Sequence, residues 1–212
     1  MDTTPVLFEQ TKPASIRIWH WLAFLFFAVS IATVVLHSLF FKTKDNVEMV
    51  QAKVKEKGGV ITSEQAKNVA HEFSDKLWML HKYVGFALSF LFLWRLVAEF
   101  VIAKDKKVKH RVKIALDYSE TTKDKNHYLM VQYSYLIFYF LFLIMATTGL
   151  ILAFEDVEIF KSVHKLVKNV HSLVQWGMYG FMLFHITGVI IADCGDYGGI
   201  VSRMINGKEV NK

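Results

Sequence analysis

Val170–Ala192 reads VHSLVQWGMYGFMLFHITGVIIA, an unbroken run without Asp, Glu, Lys or Arg. About 20 helical residues cross a hydrocarbon core of about 30 Å, so this stretch is long enough to span a bilayer. Two histidines sit inside it, His171 and His185. Their separation of 14 residues is almost four helical turns, so both project from nearly the same face, about 21 Å apart along the axis. One therefore lies near each membrane surface. Polar groups at membrane depth are costly, and by default they mark function.

Three further apolar runs have spanning length: Ile16–Phe41, Leu77–Ala103 and Tyr128–Phe154. None contains proline, so straight helices are expected. The first run has a longer apolar core than a secretory signal and no clear small-residue cleavage site, which predicts a retained helix. Hydrophobic residues make up 53% of the 212 residues, and charged residues, at 21%, fall in blocks between the runs. A soluble amphipathic bundle would spread its charges along every helix. The expected fold is an all-α membrane protein, an up-and-down bundle of four transmembrane helices forming one domain over residues 1–212.

The formal net charge of +6 invites a nucleic-acid reading, but the lysines flank the apolar runs, where they meet lipid headgroups and set topology. Residues 42–76 and 104–127 are long polar connections, and Thr62-Ser63-Glu64 is expected to start a short amphipathic helix running toward Asp75. With Arg17 at the edge of the first run included, 13 Lys and Arg fall on the side of both termini against ten on the other. The cluster Lys104, Lys106, Lys107, Lys109, Arg111 and Lys113 directly follows the second run. Both features place the termini in the cytoplasm. The single Cys194 excludes an internal disulfide, a cysteine-ligated iron–sulfur centre and the C-x-x-C-H attachment of c-type haem.

Two histidines stacked 21 Å apart suit two b-type haems, one per leaflet, each needing a second axial ligand at matching depth. His20, four residues into the first run, matches His185 near the inner surface. His81, four residues into the second, matches His171 near the outer surface. Neutral imidazole ligates haem iron well, and two of them leave no open position, which suits electron transfer. A lone transmembrane histidine often only joins helices by hydrogen bonds. Four at matched depths are harder to explain that way. His37 is the rival outer ligand, but it lies about 100° around the helix from His20. His71, His110, His127 and His164 lie in or beside polar connections and are expected to be solvated.

Haem propionates attract cations. Arg95, 14 residues after His81, and Arg17, one turn before His20, are candidates for the inner haem, and Lys82 for the outer. Snorkelling to headgroups explains such residues equally simply. Gly85, Gly188 and the Thr147-Thr148-Gly149 step offer room for a flat macrocycle, or for close helix packing.

Arg17-x-Trp19-His20-Trp21, His81, Thr148-Gly149 and His171-x13-His185, spanning roughly residues 14–195, resemble the bacterial dihaem cytochromes b. That family includes cytochrome b561 and the membrane cytochrome subunits of nickel–iron hydrogenase, formate dehydrogenase-N and thiosulfate reductase. The resemblance implies a four-helix bundle in the bacterial inner membrane. In it His20 with His185 and His81 with His171 would be the haem iron ligands. It also implies quinone as substrate near the inner haem, with Asn126, His127 and Gln132 able to hydrogen-bond a quinone carbonyl; a helix cap with interfacial polar residues is the simpler alternative. Three functions follow as expectations. The first is the cytochrome b subunit of a respiratory complex, taking electrons from a dehydrogenase, hydrogenase or cytochrome c partner to membrane quinone. The second is a stand-alone enzyme oxidising superoxide, steered by Lys82, Lys165 and Lys168. The third is a haem-free metal-binding or transport protein.

Overall fold

The computed structural model describes residues 12–101, 113, 122–195 and 198–207. Among these the secondary structure is helical throughout, with no strands. The helices are α1 (Ala14–Leu36), α2 (Thr43–Glu56), α3 (Ser63–Val101), α4 (Thr122–Ala153), the single turn α5 (Glu158–Lys161), α6 (His164–Cys194) and α7 (Ile200–Asn206). Four segments are long and apolar enough to cross a membrane: Ala14–Phe41, Ser63–Glu99, Asn126–Ala153 and His164–Cys194. The protein is thus an all-α, multi-pass membrane protein with four spanning helices, as its sequence predicts. Large apolar side chains face outward along these spans, among them Phe184 at 78% exposure and Trp176 at 68%. In water such a surface would drive aggregation; in lipid it meets its own kind.

The local starts and stops have identifiable causes. Pro13 precedes α1, and its carbonyl accepts from the Ile16 and Arg17 amides, a position where proline's fixed φ suits a helix start. A π-helical turn, His37–Phe41, carries the first span to its end at Phe41. The Asn46 side-chain amide then donates to the Phe40 and Lys42 carbonyls, satisfying acceptors released where that turn stops. After α2, Gly58 adopts φ +78° and Gly59 lies so close to Val54 that a Cβ would approach its Cγ1 to 2.8 Å.

The short amphipathic helix expected from Thr62 proves to be the beginning of a single 39-residue α3 that continues into the second span. Its start is a reciprocal capping box: the Thr62 amide donates to Gln65 Oε1, and the Gln65 amide donates to Thr62 Oγ1. No glycine or proline separates Asp75 from Leu77, so nothing breaks the helix there. At 1.5 Å per residue α3 is about 58 Å long, nearly twice the hydrocarbon thickness of about 30 Å. The connection 42–76 is accordingly mostly helical, not a loop. α4 and α6 also begin earlier than their apolar runs, at Thr122 and His164. The basic cluster between Lys104 and Arg111 lies outside the described residues.

Packing divides the chain into two units, one formed by residues up to Trp21 with those from Phe90 onward, the other by Leu22–Ser89. In the first, α4 and α6 run against each other. Their seam is aromatic: Phe138 contacts Trp19, Phe142 and Phe181, and Phe142 contacts Phe92. Phe142 is fully buried. In the second unit, Ala66, Ala70 and Ser74 form a buried stripe at four-residue spacing on α3, and Ser74 meets His37. Small side chains of this kind let helices approach closely.

Candidate functional site

The first unit brings His20 of α1 and His185 of α6 together. Their ring centres are 6.2 Å apart with planes inclined at 59°. A metal–imidazole bond is about 2.0 Å and a ring nitrogen lies about 1.1 Å from its ring centre, so two imidazoles gripping one ion from opposite sides have centres about 6.3 Å apart. The observed spacing meets that requirement. Both rings are set by aromatic neighbours. His185 stacks on Phe181, one turn earlier, at 5.9 Å and 7°, and His20 meets the edge of Trp21 at 5.4 Å. His20 Nδ1 is buried with no hydrogen-bond partner among the described residues.

His171 and His81 are held differently, and alike. In the first unit, Thr148 Oγ1 donates to the Ile144 carbonyl at 2.6 Å and lies 2.8 Å from His171 Nδ1. In the second, Thr33 Oγ1 donates to the Ser30 carbonyl at 2.6 Å and lies 2.8 Å from His81 Nδ1. A hydroxyl has one proton. With that proton on the backbone carbonyl, each threonine oxygen is placed to accept an Nδ1–H, the arrangement in which Nε2 keeps its lone pair. That is the tautomer a metal-ligating histidine needs, with the other nitrogen oriented by an outer partner. Gly149 completes the arrangement, since a Cβ there would come within 3.3 Å of His171 Cε1. Gly85, one turn after His81, and Gly188, three residues after His185, have no atom within 4 Å of an added Cβ.

His37 differs from His81 in the same unit. Its Nε2 lies 3.2 Å from Ser74 Oγ and its ring lies against Trp78 at 4.6 Å. The nitrogen that an axial ligand uses is thus already engaged, which separates His37 from His81 more sharply than helix angle does.

Arg95 is buried, at 6% exposure, although its position in the second span allows snorkelling. Its Nη1 lies 2.9 Å from Glu99 Oε2, and its guanidinium lies over the Tyr139 ring at 5.6 Å. The sequence reading missed Glu99 as its partner, although the i, i+4 spacing signals the pair. Arg17 Nη1 donates to the Lys12 carbonyl, and its guanidinium occupies the place a Cβ on Gly207 would take. Lys82, Lys165 and Lys168 are exposed. Among the candidate quinone residues, Asn126 is exposed and His127 half-buried. Gln132 is 2% exposed, with Oε1 unpaired among the described residues. Also missed was Met178, buried at 2% and seven residues from both His171 and His185. Heptad spacing puts all three on one face of α6.

Among the described residues, no three or more His, Cys, Asp or Glu converge as a bare metal centre. Imidazoles paired at this spacing, and others with a threonine oxygen at Nδ1, all on apolar spans, have the donor chemistry of an integral membrane haem protein. Their donor chemistry and spacing fit a bis-imidazole haem. Residues 12–207 match the family model for prokaryotic cytochrome b561, and the chain belongs to that family. No curated protein and no solved structure matches the chain. Membership establishes a membrane cytochrome that binds b-type haem, works in lipid with redox partners and carries out cytochrome b561-type transmembrane electron transfer.

Proposed function

We propose that the chain carries two b haems in a bacterial inner membrane, ligated by His20 with His185 and by His81 with His171. In this reading it passes electrons between a redox partner outside and membrane quinone, as the cytochrome b subunit of a respiratory complex. The observation that carries this reading is the 6.2 Å separation of the His20 and His185 ring centres, reached from two different spans. Support for the second pair comes from two independent threonine contacts at Nδ1 of His81 and His171, which suit a ring that ligates through Nε2. A b haem between two imidazoles carries one electron at a time and offers no open coordination position.

The protein's own residues then have defined tasks. The four histidines hold iron and exclude other ligands. Arg95 and Arg17 supply positive charge for anionic propionates. For Arg95 a propionate would share the guanidinium with Glu99. Gln132, with Asn126 and His127, can donate to a quinone carbonyl through its side-chain N–H, while its buried, unpaired Oε1 can accept from a quinol hydroxyl. The polar helix α2 and the extended beginning of α3 favour a subunit role, because they give a partner protein an ordered polar surface. The lysine bias supports cytoplasmic termini.

Purified protein expressed with ample haem tests the reading. It is expected to show reduced-minus-oxidised b-haem bands, a haem-to-chain ratio near two, and a dehydrogenase or hydrogenase as a stable companion. Rapid superoxide oxidation by the isolated chain, with no companion, would replace the subunit role by a stand-alone one.

A further inference from the structure

The four membrane histidines fall into two classes by what touches their rings. His81 and His171 each face a buried threonine whose proton is committed to its own helix, Thr33 to Ser30 and Thr148 to Ile144, both at 2.6 Å. In each case the threonine oxygen lies 2.8 Å from histidine Nδ1, placed to accept its N–H, and His81 also reaches the Ser30 carbonyl. The side chains of His20 and His185 meet rings instead: Trp21, Phe181 and one another. His20 Nδ1, buried, has no acceptor among the described residues.

We propose that Thr33 and Thr148 are positioning residues that set a potential difference within the chain, by making the haem ligated by His81 and His171 the lower-potential one. This rests on the ligand assignment given above. An imidazole that donates its Nδ1–H gains electron density, and as a stronger donor it favours the ferric over the ferrous state. A carbonyl of the same helix, 2.6 Å away, takes the threonine proton and so places the oxygen to accept. His20 and His185 receive no such push, so their haem is easier to reduce. One electron moving from the threonine-supported site to the unsupported one goes downhill, ferrous to ferric at the first and ferric to ferrous at the second. No proton is required.

The test is redox titration of the optical spectrum of the haem-loaded, full-length protein carrying Thr33→Val or Thr148→Val. Loss of an outer hydrogen bond to a metal ligand typically changes its equilibria about tenfold. For one electron a tenfold change in the ferrous-to-ferric ratio is about 59 mV. Each valine variant should raise the lower of the two potentials by about that much and leave the other in place. Thr33→Ser and Thr148→Ser, which keep the hydroxyl, should stay at the parent values. Unchanged potentials in valine variants that retain both haems would overturn the proposal. So would a rise in the higher potential instead. If a valine variant loses a haem, its serine counterpart decides: retention at the parent potential supports the hydrogen bond, and loss there too assigns the effect to packing. His81→Ala or His171→Ala proteins that still hold two haems would defeat the ligand assignment itself, a result distinct from any of these.

Discussion

Arg95 and Glu99 make a prediction whose size follows from burial. The Arg95 side chain is 7% exposed and that of Glu99 29%, with 2.9 Å between Nη1 and Oε2. A charge this buried is tolerated only with its counter-charge. Removing one member of a buried pair costs about 3–5 kcal/mol, because the other is left uncompensated, whereas replacing both by uncharged groups is often nearly neutral. Glu99→Gln removes the carboxylate partner of the more buried charge and, with a propionate left to share the guanidinium, should cost about 3 kcal/mol, the low end of that range. Arg95→Met strands the more exposed one and should cost somewhat less. The double variant should lose much less than the sum of the two singles, with an interaction energy at or above the usual upper end of about 3 kcal/mol. At about 2–4 °C per kcal/mol for a chain of this length, Glu99→Gln should lower the melting temperature by about 6–12 °C. The assay is thermal unfolding in a fixed detergent, followed by circular dichroism and by the haem band together. If both single variants melt within about 1 °C of the parent, the pair is solvated or screened and the reasoning fails.

His37→Ala should leave the haem-to-chain ratio unchanged while His81→Ala lowers it by one, because Ser74 engages His37 Nε2; pyridine haemochrome assay against protein mass reads both. Thr62→Ala removes half of the capping box that starts α3 and should cost about 1 kcal/mol. The loss should be local, seen as faster amide exchange in the first turns of α3 and not in its spanning part. Gln132→Leu should retain both haems yet slow reoxidation of the reduced protein by added quinone, through a higher apparent KM; an unchanged KM would remove Gln132 from the quinone site.

The spans were legible because lipid imposes a simple rule on composition, and a 23-residue run without charge obeys it wherever it occurs. The His20–His185 meeting was legible for a related reason: helical rise converts residue number directly into depth. What the sequence hid falls into two kinds. The continuity of α3 depends on the absence of a breaker between Asp75 and Leu77, and the change from polar to apolar residues there looks like a boundary without being one. Glu99, Thr33 and Met178 act through rotamers and neighbours, which spacing only suggests. Threonine in a membrane helix usually bonds its own backbone. That Thr33 and Thr148 also reach a histidine Nδ1 depends on which face of another helix arrives beside them. Met178 was within reach of the sequence, since it falls midway between His171 and His185 on a heptad.

The central claim is that opposed imidazoles on separate spans hold haem iron, and haem stoichiometry of single variants measures it directly. The parent chain should bind two haems, and His20→Ala and His185→Ala should each bind one, with the same surviving spectrum. A folded His20→Ala protein that keeps two haems, or a folded parent that binds none when haem is plentiful, would contradict the account.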